Sequence, residues 1–304
     1  MPDVMPPLLP PAKIALIGLG NMGAPMALQL AKAGYQVFGF DISPDARQRF
    51  SSMGGTAASE VTEAVTGADA IITLLPDSKA VRQALDSLLG SVKAKCVIID
   101  MSSSDPVETR KLGQELIGKG FGFIDAPVSG GVRRAVDGTL TIMVGGDSAT
   151  IDRTVPVLEA MGKSIFRTGD LGSGHAMKAL NNYVSAAGLL AAVEAIAIGK
   201  QFGLDPALMT DILNVSTGRN NTTEVKLKQF IISETYNAGF PLKLMAKDVG
   251  IANSLAHAID VPAPLSDACS KLWMDAAQAL GSSADHTAIG KHIATIKSQK
   301  GDSK

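Results

Sequence analysis

Over the first 170 residues, short apolar runs alternate with amphipathic segments. The first run, KIALIG at 13–18, is β-branched, has no polar alternation and stops at glycine. It reads as a parallel strand buried on both faces. APMALQLAKAG is helical and ends at Gly34, and YQVFGFD is a second strand ending at Asp41. The runs in ADAIITLLPD, AKCVIIDMSSSDP and FGFIDAPVSGG predict strands ending at Leu74, Asp100 and Asp125; TLTIMVGG and SIFRTG add two more. Strand and helix in alternation predict an α/β domain that closes near residue 170. From Ser173 the pattern is helical, over 175–202, 205–215, 222–235, 240–258, 264–280 and 285–298, with Pro206 at a helix start and Pro262 and Pro264 between helices.

The turn after the first strand is GLGNMG, with Gly18, Gly20 and Gly23, and Leu19, Asn21 and Met22 between them. Strand, G-x-G-x-x-G, helix, strand and an acid about 20 residues on is a dinucleotide-binding pattern. Gly18 permits a tight turn, Gly20 lets backbone approach a pyrophosphate, and Gly23 lets helix and strand pack closely. The helix start then offers free N–H groups to the phosphates. Asp41 reads either as a cap for the next helix, where Ser43 is at least as good, or as an acceptor for the adenosine ribose hydroxyls. In the second role it repels a 2′-phosphate, so NAD is expected in preference to NADP. Later strand ends supply Leu75–Pro76 and the serines 102–104, which read as cofactor-lining loops with Ser103 near the nicotinamide, or as ordinary turns. Ser129, Gly130 and Gly131 form a Gly-rich loop suited to an anion.

A second polar cluster opens the helical part. GDLGSGHAMKALNN runs from Gly169 to Asn182, with Lys178 one turn after Gly174 and Asn181 and Asn182 three and four residues further on. On a helix these share a face. Taken alone, Lys178 also fits a lysine that snorkels to solvent. The following YVSAAGLLAAVEAIAIGK is apolar nearly all round, so burial in a core or subunit interface is expected. Glu194 interrupts it, which argues against a membrane span. Arg219 in STGRNN and the Lys247–Asp248 pair are further polar positions, with surface solvation as the plain alternative.

Composition narrows the function. The 304 residues suit two domains, and a formal charge of −1 gives no reason to expect nucleic acid or an anionic membrane as partner. Two unpaired cysteines, Cys96 and Cys269, read as buried thiols in a reducing, cytoplasmic setting, and four scattered histidines predict no metal site. The proline-rich start, MPDVMPPLLPPAK, reads as a disordered lead-in rather than a signal peptide.

GLGNMGAPMA at 18–27, DAPVSGGVRRAVDGTL at 125–140, GDLGSGHAMKALNN at 169–182 and KDVGIA at 247–252 stand in the order found in the β-hydroxyacid dehydrogenases. The chain resembles that family, which includes 3-hydroxyisobutyrate dehydrogenase and tartronate semialdehyde reductase, over about residues 12 to 298. The resemblance implies a Rossmann dinucleotide-binding domain (12–172), then an all-helical domain (173–304) for substrate and oligomerisation, joined by a long helix. It implies that GLGNMG binds the dinucleotide and that Ser129, Gly130 and Gly131 hold the substrate carboxylate. Lys178 would be the catalytic acid/base, with Asn182 and Asn181 on the substrate and Lys247 on the cofactor. It also implies a homodimer or homotetramer. Members using NADP often carry Asn-Arg-Thr where this chain has Asp41-Ile42-Ser43, and Ser103 stands where the family usually has threonine. The expected activity is NAD-dependent interconversion of a small 3-hydroxy acid and its semialdehyde. Reduction of tartronate semialdehyde, glyoxylate or succinic semialdehyde is a second reading, and a non-catalytic dinucleotide-binding scaffold a third. Lys178 with Asn182 argues against the third. Arg219 would favour a larger or doubly charged substrate if it faced the site, and a small acid if it faced solvent.

Overall fold

The computed structural model describes residues 5–281 and 283–299. The chain forms two compact units that part between Lys178 and Ala179. In the first unit the order is β1 (Lys13–Ile17), α1 (Gly23–Lys32), β2 (Gln36–Phe40), α2 (Pro44–Ser52), α3 (Val61–Val65), β3 (Ala70–Thr73), α4 (Ser78–Leu88), β4 (Val97–Asp100), α5 (Pro106–Gly118), β5 (Gly122–Asp125), β6 (Val128–Ser129), α6 (Gly131–Val136), β7 (Leu140–Gly145), α7 (Ser148–Glu159) and β8 (Gly162–Gly169). The sheet order is β2-β1-β3-β4-β5-β7-β6, with β8 also on β7.

β1 to β5 are parallel, and β7 runs antiparallel to β5 and β6. Both faces are covered, as the unbroken apolar runs require. Ile14, Leu16, Ile72 and Ile99 pack with Met26 and Leu30 of α1 and Val157 of α7. Ala15, Ile17, Ile71 and Ile98 pack with Val81 and Leu85 of α4 and Leu112 and Leu116 of α5. The chain leaves β1 for β2 on one side and reaches β3 on the other. The strand order therefore reverses at β1, where open sheets of this kind bind ligands at their carboxyl ends.

The expected disordered lead-in is ordered where described. Met1 to Val4 lie outside the described residues, but Leu8 is buried, its N–H donates to the Arg153 carbonyl (2.8 Å), and its own carbonyl accepts from the Tyr35 hydroxyl (3.0 Å). One large apolar side chain and two hydrogen bonds outweigh the proline-rich composition.

α8 (Ser173–Phe202) is a single 30-residue helix that crosses the boundary between the units. The second unit continues with α9 (Pro206–Asn214), α10 (Asn221–Val225), a π-helical stretch at Leu227–Ile232, α11 (Leu242–Ala258), α12 (Pro264–Leu280) and α13 (Ile289–Gln299). The single helix expected over 222–235 is thus two pieces of different pitch. The core gathers Leu189, Val193 and Ile196 of α8 with Met245, Val249 and a fully buried Trp273. Of the two burials expected for α8, the core of this chain accounts for one side. Met177, Val184, Ala191 and Ile198, seven residues apart, are exposed, with Val184 at 68% and Ile198 at 70%. Neighbouring helices in this chain cover only the opposite face.

Candidate active site

The turn after β1 is shaped by its glycines. Gly18 has φ +106°, and a Cβ there would lie 2.3 Å from the Leu74 carbonyl oxygen at the end of β3. A Cβ on Gly23 would lie 1.8 Å from the Gly18 carbonyl oxygen, so helix and turn are in direct backbone contact. Gly20 is different: it is exposed, and a Cβ would meet nothing within 4 Å. No side chain caps the α1 N-terminus. Asn21 is exposed, Met22 half-buried and Leu19 buried. An uncapped helix start beside open backbone at a strand-order reversal fits a pyrophosphate.

At the end of β2, Ser43 is the cap of α2, accepting from the Ala46 N–H at 3.3 Å. Asp41 does something else. Its carboxylate accepts from the N–H groups of Leu19 and Ser43, both at 2.8 Å, and so braces the glycine turn. Arg47 turns toward the same point. It donates to the Asp41 carbonyl at 2.6 Å and lies over the Phe40 ring.

The serines after β4 divide by role. Asp100 is buried and accepts from the Thr73 hydroxyl (2.9 Å), the Ser102 N–H (3.0 Å) and the Ser104 hydroxyl (2.9 Å). The Ser102 hydroxyl in turn accepts from the Leu75 N–H at 2.9 Å, tying the two loops together. Ser102 and Ser104 are therefore buried loop ties, while Ser103 between them is half-buried and Pro76 is exposed. Ser129 is not in a loop as expected; it pairs with Thr141 of β7, and Gly131 already begins α6. The glycines still make the sharp change of direction, with φ of +130° at Gly130 and +69° at Gly131. The Arg134 side chain lies where a Cβ on Gly130 would go.

The start of α8 is held from below. A Cβ on Gly174 would lie 2.4 Å from the Met143 carbonyl oxygen and 2.8 Å from an Asp125 carboxylate oxygen, so the glycine brings the helix down onto the sheet. Asp125, at the end of β5, accepts from the N–H groups of Gly172 (2.7 Å) and His175 (2.8 Å) and caps α8 from a distant strand. Burial pushes its carboxyl above the usual carboxylate range. Lys178 is half-buried one turn further on. Neither Asp125 nor His175 stands out from sequence pattern. A buried acid that ends an otherwise apolar strand is the one signal that points to Asp125.

In the second unit Asn181 is exposed and Asn182 buried. Asn182 donates to Asp248 at 2.6 Å and accepts from Asn181 at 3.0 Å, and the Lys247 ammonium lies 3.7 Å from the other Asp248 oxygen. Both functional ends of Asn182 thus have protein partners, and Asp248 joins the residues that sequence reading singled out. Arg219 is exposed and pairs with Glu224 at 3.5 Å.

Two family models together match nearly the whole chain: the NAD binding domain of 6-phosphogluconate dehydrogenase over residues 13–169, and the NAD-binding domain of NADP-dependent 3-hydroxyisobutyrate dehydrogenase over 172–293. The chain belongs to the β-hydroxyacid dehydrogenase family. Among its relatives, this dehydrogenase is 38% identical over 275 residues to 3-hydroxyisobutyrate dehydrogenase of Pseudomonas aeruginosa, covering 88% of this chain and 92% of the relative. It is 34% identical over 291 residues to 2-hydroxy-3-oxopropionate reductase of Escherichia coli, covering 95% and 99%. A structure of Mycobacterium tuberculosis 3-hydroxyisobutyrate dehydrogenase with L-serine superimposes with a TM-score of 0.86 at 34% identity, covering 92% of this chain and 98% of that one. The fold is a Rossmann-like nicotinamide-dinucleotide domain followed by a helical domain, and the enzyme is a 3-hydroxyacid dehydrogenase.

Proposed function

We propose that this dehydrogenase interconverts a small 3-hydroxy acid, of the size of 3-hydroxyisobutyrate, with its semialdehyde, that it prefers NAD over NADP, and that Lys178 is its general acid/base. The observation that carries this reading is one of placement. β1, β4 and β5 are parallel, so the glycine turn after β1, the Asp100 loop after β4 and the Asp125 cap under α8 all lie at one edge of the sheet. Lys178 stands on the helix that this cap fixes.

The molecules in the relatives' names support the substrate class. 3-Hydroxyisobutyrate, 2-hydroxy-3-oxopropionate and L-serine each carry oxygen on the carbon two bonds from the carboxylate carbon. Apart from the oxidation level of that carbon, only the group on the middle carbon differs. The exposed, Glu224-paired Arg219 supports a small monoacid over a doubly charged one. The Escherichia coli relative favours tartronate semialdehyde as the second substrate to try, ahead of glyoxylate and succinic semialdehyde.

The nicotinamide supplies hydride transfer. In oxidation Lys178 takes the proton from the alcohol as hydride leaves its carbon; in reduction it returns that proton. Ser129 offers a hydroxyl, and Gly130 and Gly131 their backbone N–H groups, to the substrate carboxylate. Asn181 and Asn182, next on the same helix, orient substrate without adding charge. Gly18 to Gly23, Asp41, Leu75, Pro76, Ser103 and Lys247 are assigned to the cofactor. Residues 12–172 form the cofactor domain in this reading and 173–304 the substrate and oligomerisation domain. The uncovered stripe on α8 supports a homodimer or homotetramer, and the two free, buried cysteines support a reducing, cytoplasmic setting.

The test is a nicotinamide absorbance assay over a panel of small 3-hydroxy acids and semialdehydes, with wild type and Lys178→Ala. Turnover should fall by about two to four orders of magnitude in the variant. NADH binding, followed by fluorescence, should change little. Wild-type turnover in a folded Lys178→Ala protein would overturn the assignment.

A further inference from the structure

His175 is buried, and its backbone N–H and both ring nitrogens each meet a different part of the first unit. Its backbone N–H donates to Asp125 at the end of β5 (2.8 Å). Its ring Nε2 lies 3.1 Å from the Ser102 carbonyl in the loop after β4, and its Nδ1 lies 2.9 Å from the Thr109 hydroxyl of α5. The carboxylates of Asp100 and Asp125 stand 3.8 Å from Nε2 and Nδ1. A carbonyl can only accept, so Nε2 carries a proton and donates to Ser102. The ring orientation is thereby fixed, with the Thr109 hydroxyl on the other nitrogen.

We propose that His175 is a positioning residue that sets Lys178 against the Ser102–Ser104 loop. The proposal rests on the reading of Lys178 as acid/base and of Ser103 as lining the nicotinamide. His175 precedes Lys178 by three residues, so the two side chains leave neighbouring sides of one helical turn. The helix cannot slide to compensate for a change at the ring, because Gly174 is already in backbone contact with Met143 and Asp125. The Ser102–Ser104 loop is equally fixed, through Asp100 and Leu75. The imidazole is a side-chain link between these two rigid pieces. One carries the proton acceptor and the other lies beside the hydride acceptor, so the ring sets the distance between the two halves of the reaction.

The test is a cycle of His175→Leu, Lys178→Ala and the double variant in the full-length enzyme, with His175→Gln as the conservative replacement. Leucine keeps the bulk and removes both ring contacts; glutamine can still donate to the Ser102 carbonyl. His175→Leu should lower kcat by about a hundredfold, the loss that accompanies a misplacement near 1 Å. NADH affinity and substrate KM should stay within about threefold, and His175→Gln should recover most of kcat. In the Lys178→Ala background His175→Leu should add nothing, because the histidine acts through the lysine. A His175→Leu enzyme with lowered Tm but wild-type kcat per folded molecule would show a structural role only and overturn the proposal. So would losses that multiply in the double variant. Full turnover in Lys178→Ala alone would instead overturn the reading of the lysine. If His175→Leu does not fold, Thr109→Val, which removes the partner of Nδ1 together with the Thr109 hydroxyl's own bond to the Asp105 carbonyl at the start of α5, is judged by the same kcat and KM criteria.

Discussion

Gly20 and Gly23 lie three residues apart in one turn, and the same substitution should do opposite things to them. A methyl group placed on Gly20 would have no neighbour within 4 Å, and the residue does not have a left-handed φ. Alanine there leaves the fold intact and restricts the unfolded chain, so stability should hold or rise by about 0.4–1 kcal/mol. If the pyrophosphate passes over Gly20, however, the added methyl overpacks the contact, at a cost of about 1–3 kcal/mol. That corresponds to roughly a 5- to 150-fold weaker Kd for NADH. At Gly23 the methyl would sit 1.8 Å from the Gly18 carbonyl oxygen and 3.3 Å from the Leu16 side chain, and the Gly18 backbone cannot yield without parting α1 from β1. Gly23→Ala should therefore lower stability by at least about 1–3 kcal/mol, with or without cofactor. The assays are NADH titration by fluorescence and thermal melts of the cofactor-free proteins. A Gly20→Ala protein that binds NADH as wild type does would refute the placement of the phosphates. A Gly23→Ala protein with unchanged Tm would refute the contact argument.

Two further predictions concern charge. Wild type should show higher kcat/KM with NAD(H) than with NADP(H), and Asp41→Ser should narrow the gap, because it removes a carboxylate while Arg47 stays at the same backbone to meet a 2′-phosphate; comparable values for both cofactors in wild type would defeat this. His286 is buried and its pKa is pushed down to about 4, chiefly by burial and then by Lys226. Between its ordinary value near 6.5 and about 4 the unfolded chain binds a proton that the folded chain does not. Stability should therefore fall as pH drops through that window, by up to about 3 kcal/mol. Asp285, held below the usual carboxylate range by its bonds to Thr287 against the opposing effect of burial, contributes stability that is lost only below its ordinary value near 3.8, outside that window. Urea unfolding from pH 7 to 4 checks this, and His286→Gln should flatten the curve.

The sheet was legible because its strands are buried on both faces and so carry unbroken apolar runs. The glycine turn was legible because each glycine answers a separate steric demand over six residues. The support under Lys178 was not. Asp125 meets its partners 47 and 50 residues away, and His175 meets Thr109 and Ser102 at separations of 66 and 73. No local pattern records contacts at that range, and a single histidine among scattered ones gives no spacing to read. Composition misled at Leu8, where one anchoring side chain orders a proline-rich stretch; at α8 an apolar circumference gives no sign of which stripe this chain leaves uncovered. The serine run 102–104 looked like one feature, but its two outer members are held by a buried aspartate.

α8 also constrains how such an enzyme can be rebuilt. Lys178 closes the first compact unit and Asn181 and Asn182 open the second, yet one uninterrupted helix carries all three. Their mutual spacing follows from helical register alone. A chimaera that joined the nucleotide half of one such enzyme to the helical half of another would keep the three residues in register along the helix if the splice kept the residue count between lysine and asparagine. One residue more or fewer would turn the amides by about 100° about the helix axis while leaving both halves able to fold. The register along α8 is thus a ruler, and its graduation is a single residue.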